Sequence, residues 1–120
     1  MDDEKKLLGM LGLCKRAGRL IIGTPMVCEY LSSAKGTLDG AAMVIEASDT
    51  SDNTHKKITD KCKFYNVRHV RIEIDAETLG GALGKSTVAA VAVTDKDMCV
   101  AVNKKLERIG HKLYGSNTSD

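Results

Sequence analysis

Two glycine-containing stretches hold the residue types best suited to gripping an anion: Gly23-Thr24-Pro25-Met26-Val27 and Leu83-Gly84-Lys85-Ser86-Thr87-Val88. In the first, Leu20-Ile21-Ile22 is an apolar run of strand length, and Gly23 ends it. Thr24 suits an N-cap, since its hydroxyl can accept from a free backbone N–H, and Pro25 suits the first helical position, where no N–H is needed. The N–H groups of such a first turn carry partial positive charge and suit a phosphate, although an ordinary capped helix has the same local pattern. The second stretch mimics a phosphate loop. That motif, G-x-x-x-x-G-K-[ST], requires glycine where Leu79 stands, and Gly80 is one residue too close. Its context is also reversed, because a phosphate loop follows a strand and opens a helix, whereas here a helix precedes and a strand follows. Gly84 therefore reads as a helix stop in a tight turn, and nucleotide hydrolysis has only Gly84-Lys85-Ser86 behind it.

Few other residues offer chemistry. Cys14, Cys28, Cys62 and Cys99 are widely spaced with no C-x-x-C pair, which argues against structural zinc. Each falls in an expected helix among apolar neighbours, as buried thiols do. His55, His69 and His111 show no ligand spacing with one another or with the cysteines. No Ser/His/Asp or paired-carboxylate arrangement stands out. The expectation is a non-enzymatic protein with no metal site and no cofactor.

With 120 residues the chain is long enough for one domain and one core, and its 42% apolar content argues against disorder. No apolar run nears the roughly 20 residues that cross a bilayer. The acidic start Met1-Asp2-Asp3-Glu4 is unlike a signal peptide, so the expected location is cytoplasmic. A net charge of +2 does not by itself point to nucleic acid. The local cluster Lys15, Arg16 and Arg19 is more informative, although basic residues also favour a helix C-terminus. Aromatics are limited to Tyr30, Phe64, Tyr65 and Tyr114, too few for a platform that stacks several bases. RNA recognition would then rest on shape, backbone amides and basic side chains.

The elements that must position these residues follow from periodicity. Leu7, Leu8, Leu11 and Cys14 predict a helix over about 3–17, ended by Gly18. A strand at Leu20–Ile22 and a helix from Thr24 to before Gly36 follow, then a loop at 35–40. Ala42-Met43-Val44-Ile45 reads as a strand covered on both faces. Ile58, Cys62 and Tyr65 stripe a third helix that Asn66 can close in the left-handed conformation. Val70, Ile72 and Ile74 alternate with His69, Arg71 and Glu73, as in a strand with one less-buried face near a sheet edge. Asp75 caps a short fourth helix. Val88 to Val93 is a strand, and Thr94 with Asp97 resembles a capping box for a last helix carrying Met98, Val102, Leu106 and Ile109 and stopped by Gly110. The α-β-α-β-α-β-α-β-α order predicts one three-layer α/β/α sandwich over 1–110, with 111–120 as a flexible tail.

The chain resembles the kink-turn-binding ribosomal protein family that includes archaeal large-subunit protein seven-Ae and eukaryotic protein thirty-e, and within it the small bacterial YlxQ-like proteins. The resemblance runs from about Leu7 to Leu106. Its residues are Leu8-Gly9-Met10-Leu11-Gly12-Leu13-Cys14-Lys15-Arg16-Ala17-Gly18, Ile22-Gly23-Thr24, Ser48 to Thr54, Thr59 to Tyr65, Leu79-Gly80, Leu83-Gly84-Lys85 and Val91-Ala92-Val93-Thr94-Asp95. It implies an α/β/α fold with a mixed four-stranded sheet, and binding of a kink-turn or ribosomal RNA without a small-molecule substrate. It places the start of the second helix, Gly23, Thr24, Pro25 and Met26, against sheared G·A pairs. It places the loop after the fourth helix, Lys85, Ser86, Thr87 and Val88, over an extruded nucleotide. Lys15, Arg16 and Arg19 join the expected RNA-binding set. One departure stands out: seven-Ae-type binders usually carry Asn-Glu after Gly-Thr and a Lys one turn later, where this chain has Pro25-Met26 and Glu29. Pro25 offers no side-chain hydrogen bond and Met26 a poor one. What remains positions an RNA more than it reads one, so the expectation is weaker or less selective binding, with a protein-interaction module on the same fold as the alternative.

Overall fold

The computed structural model describes residues 2–33, 42–109 and 111–114, with backbone only at Asp2 and 111–114. The elements run α1 (Asp2–Arg16), β1 (Leu20–Ile22), α2 (Thr24–Ser33), β2 (Met43–Glu46), α3 (Asp52–Phe64), β3 (Arg68–Ile72), α4 (Ala76–Ala82), β4 (Ala90–Val93), α5 (Lys96–Leu106) and β5 (His111–Tyr114). The expected loop at 35–40, the stop at Gly110 and the chain beyond 114 lie outside the described residues.

The strands form one mixed sheet in the order β1-β4-β2-β3-β5. β4 runs antiparallel to both β1 and β2, β2 and β3 are parallel, and β5 is antiparallel to β3. The four strands expected from periodicity are all present. β5 adds a fifth from the stretch assigned to the tail, and for residues 111–114 that assignment is corrected: Val70 pairs with Leu113 and Ile72 with His111.

Alternation of side chains sorts the core into two layers. Met43, Ile45, Val70, Ile72, Val91 and Val93 face α1, α4 and α5. Val44, Ala90 and Ala92 face α2 and α3, which contribute Val27, Leu31, Ile58 and Cys62. Both faces are covered, which is why β2 and β4 are buried at every position. β3 is less marginal than its alternation suggested, because β5 closes its edge and His69, expected on the less-buried face, is fully buried.

Local chemistry sets the boundaries. Ser51 caps α3 by accepting from the Thr54 N–H, and Asn66 takes φ 57° just after it, as expected of its short polar side chain. Asp75 caps α4 and Gly84 follows that helix at φ 76°. The cap of α5 is Asp95, whose carboxylate accepts from the Met98 N–H at 3.0 Å, so the assignment to Thr94 is corrected by one residue. α5 ends at Leu106, three residues short of the expected Ile109, with Glu107 as its C-cap.

Strand directions decide where the loops gather. Because β1, β2 and β3 all point one way and β4 the other, their C-terminal ends and the start of β4 share one end of the sheet. The turns after Ile22, Glu46 and Ile72 and the loop before Ala90 therefore meet there, the end at which open α/β sheets commonly bind ligands.

Candidate nucleic-acid interface

The two glycine stretches converge. In register, Ile22 lies opposite Val91, and one residue further the Gly23 N–H donates to the Ala90 carbonyl at 2.9 Å. The start of α2 is thus fastened beside the end of the 84–89 loop. Gly23 sits at φ 99°, a conformation that only glycine adopts easily. The Gly23 carbonyl accepts from the Val27 N–H at 2.9 Å, which makes Gly23 the residue that caps α2. The assignment of the cap to Thr24 is corrected accordingly: Thr24 and Pro25 are the first two helical residues. The Thr24 Oγ1 is shielded and has no hydrogen-bond partner among the described residues. Pro25 and Met26 are exposed, Met26 with 54% of its surface open, and no acidic residue stands in the first turn. The positive end of the helix is therefore not neutralised by its own side chains.

Gly80 shapes the loop. Its carbonyl accepts from the Leu83 N–H at 2.9 Å and the Lys85 N–H at 2.8 Å. A Cβ on Gly80 would lie 2.7 Å from the Thr87 Cα and 2.9 Å from the Ser86 carbonyl, so Ser86 and Thr87 rest directly on its backbone. The glycine that spoils the phosphate-loop motif is the seat of the loop itself. Lys85, Ser86 and Thr87 point into solvent, whereas Val88 is only 3% exposed and packs in the α1/α4/α5 core. The expectation of a Val88 surface contact is corrected, and the Val88 N–H is also engaged, donating to the Ala76 carbonyl at 2.9 Å.

The basic cluster is gathered at the α1–β1 turn, where the Arg19 N–H donates to the Cys14 carbonyl at 2.8 Å and the Gly18 N–H to the Lys15 carbonyl at 3.0 Å. The Lys15 ammonium donates to the Leu83 carbonyl at 2.7 Å, bringing its charge to the exposed side of the loop next to Gly84. An ammonium has three donors, so this bond leaves Lys15 able to meet a phosphate as well. Arg16 is exposed at the end of α1. Arg19 lies at the other end of β1, its carbonyl accepting from the Thr94 N–H at 3.0 Å, about 13 Å of strand from Gly23. The structure sets Gly23, Thr24, Pro25 and Met26 beside the end of the loop that carries Lys85, Ser86 and Thr87, ties Lys15 to the start of that loop at Leu83, and keeps Arg19 against the last turn of α1 at the start of β1.

Behind this rim lies a polar cluster that spacing did not reveal. Glu46 closes β2 in register with Ala90 and is fully buried. Its Oε1 is 2.7 Å from Nε2 of buried His69 and 2.9 Å from Nδ1 of His55. The Thr50 hydroxyl donates to Oε2, and the Arg71 guanidinium lies 3.6 Å from that oxygen while donating to Thr50. The expectation that the histidines are unrelated is corrected: the topology places β2, β3 and the first turn of α3 around one carboxylate. Burial pushes the Glu46 carboxyl up, but the hydrogen bonds from His69, Thr50 and His55 outweigh it and hold the group down to about 2. A visible signal was the acidic residue ending the apolar run Ala42–Ile45. Of the four cysteines, all free, Cys14, Cys62 and Cys99 are buried and Cys28 only half so. Burial pushes the Cys62 thiol up to about 12 and Cys99 to about 11, which makes both inert at neutral pH.

An α/β/α sandwich that presents a helix N-terminus and a glycine-seated loop on one rim defines a class of fold, and comparison with known proteins places the chain within it. The profile described as the Ribosomal protein L7Ae/L30e/S12e/Gadd45 family matches residues 5–102, and the chain belongs to that family. It is 38% identical over 87 residues to the RNA-binding protein YlxQ of Bacillus subtilis (strain 168), covering 72% of this chain and 81% of that protein. It is 33% identical over 75 residues to the RNA-binding protein YlxQ of Enterococcus faecium, covering 62% and 68%. Among solved structures, a protein of unknown function from Bacillus halodurans C superposes with a TM-score of 0.72 at 27% identity, over 85% of this chain and 97% of the other. The Giardia lamblia 15.5kD RNA binding protein shares the fold with a TM-score of 0.66 at 17% identity, over 91% and 88%.

Two outcomes test this geometry. Gly80→Ala should displace Ser86 and Thr87 and lower stability by about 1–3 kcal/mol, read by urea unfolding, with amide NMR shifts concentrated at 84–88. An unchanged loop would show that Gly80 is not its seat. Because the folded carboxyl of Glu46 titrates below its unfolded value, its stabilisation is complete above about pH 5 and is lost as pH falls toward 2. Unfolding midpoints across that range should fall by an amount worth a few kcal/mol, and Glu46→Gln should flatten the acid limb while lowering stability at pH 7.

Proposed function

We propose that the protein is a non-enzymatic RNA-binding module that grips structured RNA on the rim formed by the start of α2 and the 84–87 loop. The observation that supports this reading is the Gly23 to Ala90 hydrogen bond, which fastens the uncompensated N-terminus of α2 beside the end of the loop that carries Lys85, the loop to whose start Lys15 is bonded at Leu83. Family membership and the RNA-binding relatives support it. The rim offers backbone amides, two ammonium groups and the hydroxyls of Ser86 and Thr87, a set that suits phosphate and sugar more than base edges. A kink-turn or ribosomal RNA is the proposed partner class, since a bent backbone can present phosphates to both halves of the rim at once. A cytoplasmic location and ribosome association belong to the same proposal. No helix among the described residues is long and apolar enough to cross a membrane.

A second reading keeps the fold as a protein-interaction module without specific RNA recognition. Its support is the exposed Pro25-Met26 pair, apolar where a polar pair would read base edges.

Titration of a labelled kink-turn RNA and an unkinked duplex of equal length, at about 50 and 200 mM salt, separates the two. The RNA reading predicts tighter binding to the kinked RNA and a loss of affinity with salt. Lys85→Ala should weaken binding to both RNAs and reduce the salt slope by about 1. Equal affinities for the two RNAs would remove the kink-turn claim, and no binding to either would remove the RNA claim. Tight kink-turn binding gained only in Pro25→Asn with Met26→Glu would favour the second reading.

A further inference from the structure

We propose that Glu46, His55 and His69 form a binding site for a divalent first-row transition ion of the zinc type. Three ligand atoms, the Glu46 carboxylate oxygen, His55 Nδ1 and His69 Nε2, lie within 4.8 Å of one another. They come from β2, the first turn of α3 and β3, so the fold rather than sequence spacing assembles them.

The carboxylate has two different sides. Oε1 takes His69 at 2.7 Å, and His55 stands at 2.9 Å from both oxygens. Oε2 is held by the Thr50 hydroxyl and faces Arg71 at 3.6 Å. That division resembles a metal centre, in which one oxygen coordinates and outer partners fix the other. The ion therefore seats on the Oε1 side, away from the guanidinium. That position, open to solvent on one side, is where an ion would enter between His55 and the carboxylate.

Ligand atoms around a tetrahedral zinc ion are about 3.3 Å apart, so the two contacts to Oε1 must open by roughly half an ångström. His55 can supply that movement. It stands in the first turn of α3 with 23% of its side chain exposed, which also gives an ion its entry path, whereas Glu46 and His69 are fully enclosed. Both imidazoles bind as neutral ligands, with the ring proton on the nitrogen turned away from the ion. Two nitrogens and one carboxylate suit zinc, nickel or copper and are too few oxygens for calcium or magnesium. Water completes the shell on the His55 side.

The test uses the untagged, reduced full chain freed of metal with chelator. Calorimetric titration with Zn²⁺ should show one ion per chain, and the same ion should raise the melting temperature. Titration with Co²⁺ should give visible ligand-field bands without the intense near-ultraviolet thiolate band that cysteine ligation produces. His55→Ala should weaken Zn²⁺ binding by more than about 100-fold, beyond what loss of an outer-shell partner costs. Cys28→Ser, which alters the half-buried thiol, should leave binding unchanged. In the unmodified chain the imidazole NMR signals of His55 and His69 should shift on adding Zn²⁺, a readout independent of any variant's folding. No binding, a thiolate band, equal affinity in His55→Ala, or unmoved His55 and His69 signals would each overturn the proposal and leave a hydrogen-bonded network only.

Discussion

The antiparallel pairing of β1 with β4 is the constraint on which the proposed binding rim depends. β1 has only three residues, yet its register brings Ile22 opposite Val91 and places Gly23 against Ala90. Residues more than sixty apart in sequence are joined there by a single ladder. A shift of one residue would turn Ile21 and Ala92 to the opposite layers and separate the start of α2 from the loop. The pattern of buried residues on β4, with Val91 and Val93 on one layer and Ala90 and Ala92 on the other, is what fixes that register. The placement of these two loops thus follows from core packing beneath them.

The loop is held from beneath in a way that leaves its upper surface open. Backbone contact at Gly80, two N–H donors onto the Gly80 carbonyl, and burial of Val88 take up its inner side. Lys15 adds a bond from α1 to the last carbonyls of α4, where a cation is favoured by the helix dipole. One ammonium thus ties α1 to the end of α4 and places its charge beside Gly84. Ordering these groups before binding spares a ligand the entropy of ordering them on contact.

Much of this was legible in the sequence, because strong local signals agreed with the tertiary outcome. Leu20–Ile22, the closure at Asn66, the Asp75 cap and the Gly84 stop each rest on residues with few conformational alternatives. What was missed depends on partners distant in the chain. Polar alternation in β3 suggests an open face, and only the arrival of β5 and α3 shows that His69 is enclosed. His55 and His69 look unrelated until β3 pairs in parallel with β2 and the first turn of α3 packs against the end of β2, which brings one from each to Glu46. Val88 lies in the loop before β4 rather than in the strand, and its side chain packs in the α1/α4/α5 layer, opposite to the layer that alternation from Ala90 and Ala92 would give it. Lys15 and Arg19 stay neighbours through the turn at Gly18, and only the approach of α4 shows that the Lys15 ammonium is engaged by the Leu83 carbonyl.

Glu46 lies in register with Ala90, and the Ala47 N–H donates to the Ala89 carbonyl at 2.8 Å, so the buried polar cluster and the rim share a stretch of backbone. The central claim remains the simpler one, that the two glycine stretches act as one surface. Amide NMR of the isotope-labelled chain during titration with a structured RNA addresses it most directly. The account predicts that the largest shifts fall together on residues 23–27 and 84–88, with Lys15 among them. Shifts confined to one stretch, or gathered on α5 and away from both, would contradict it.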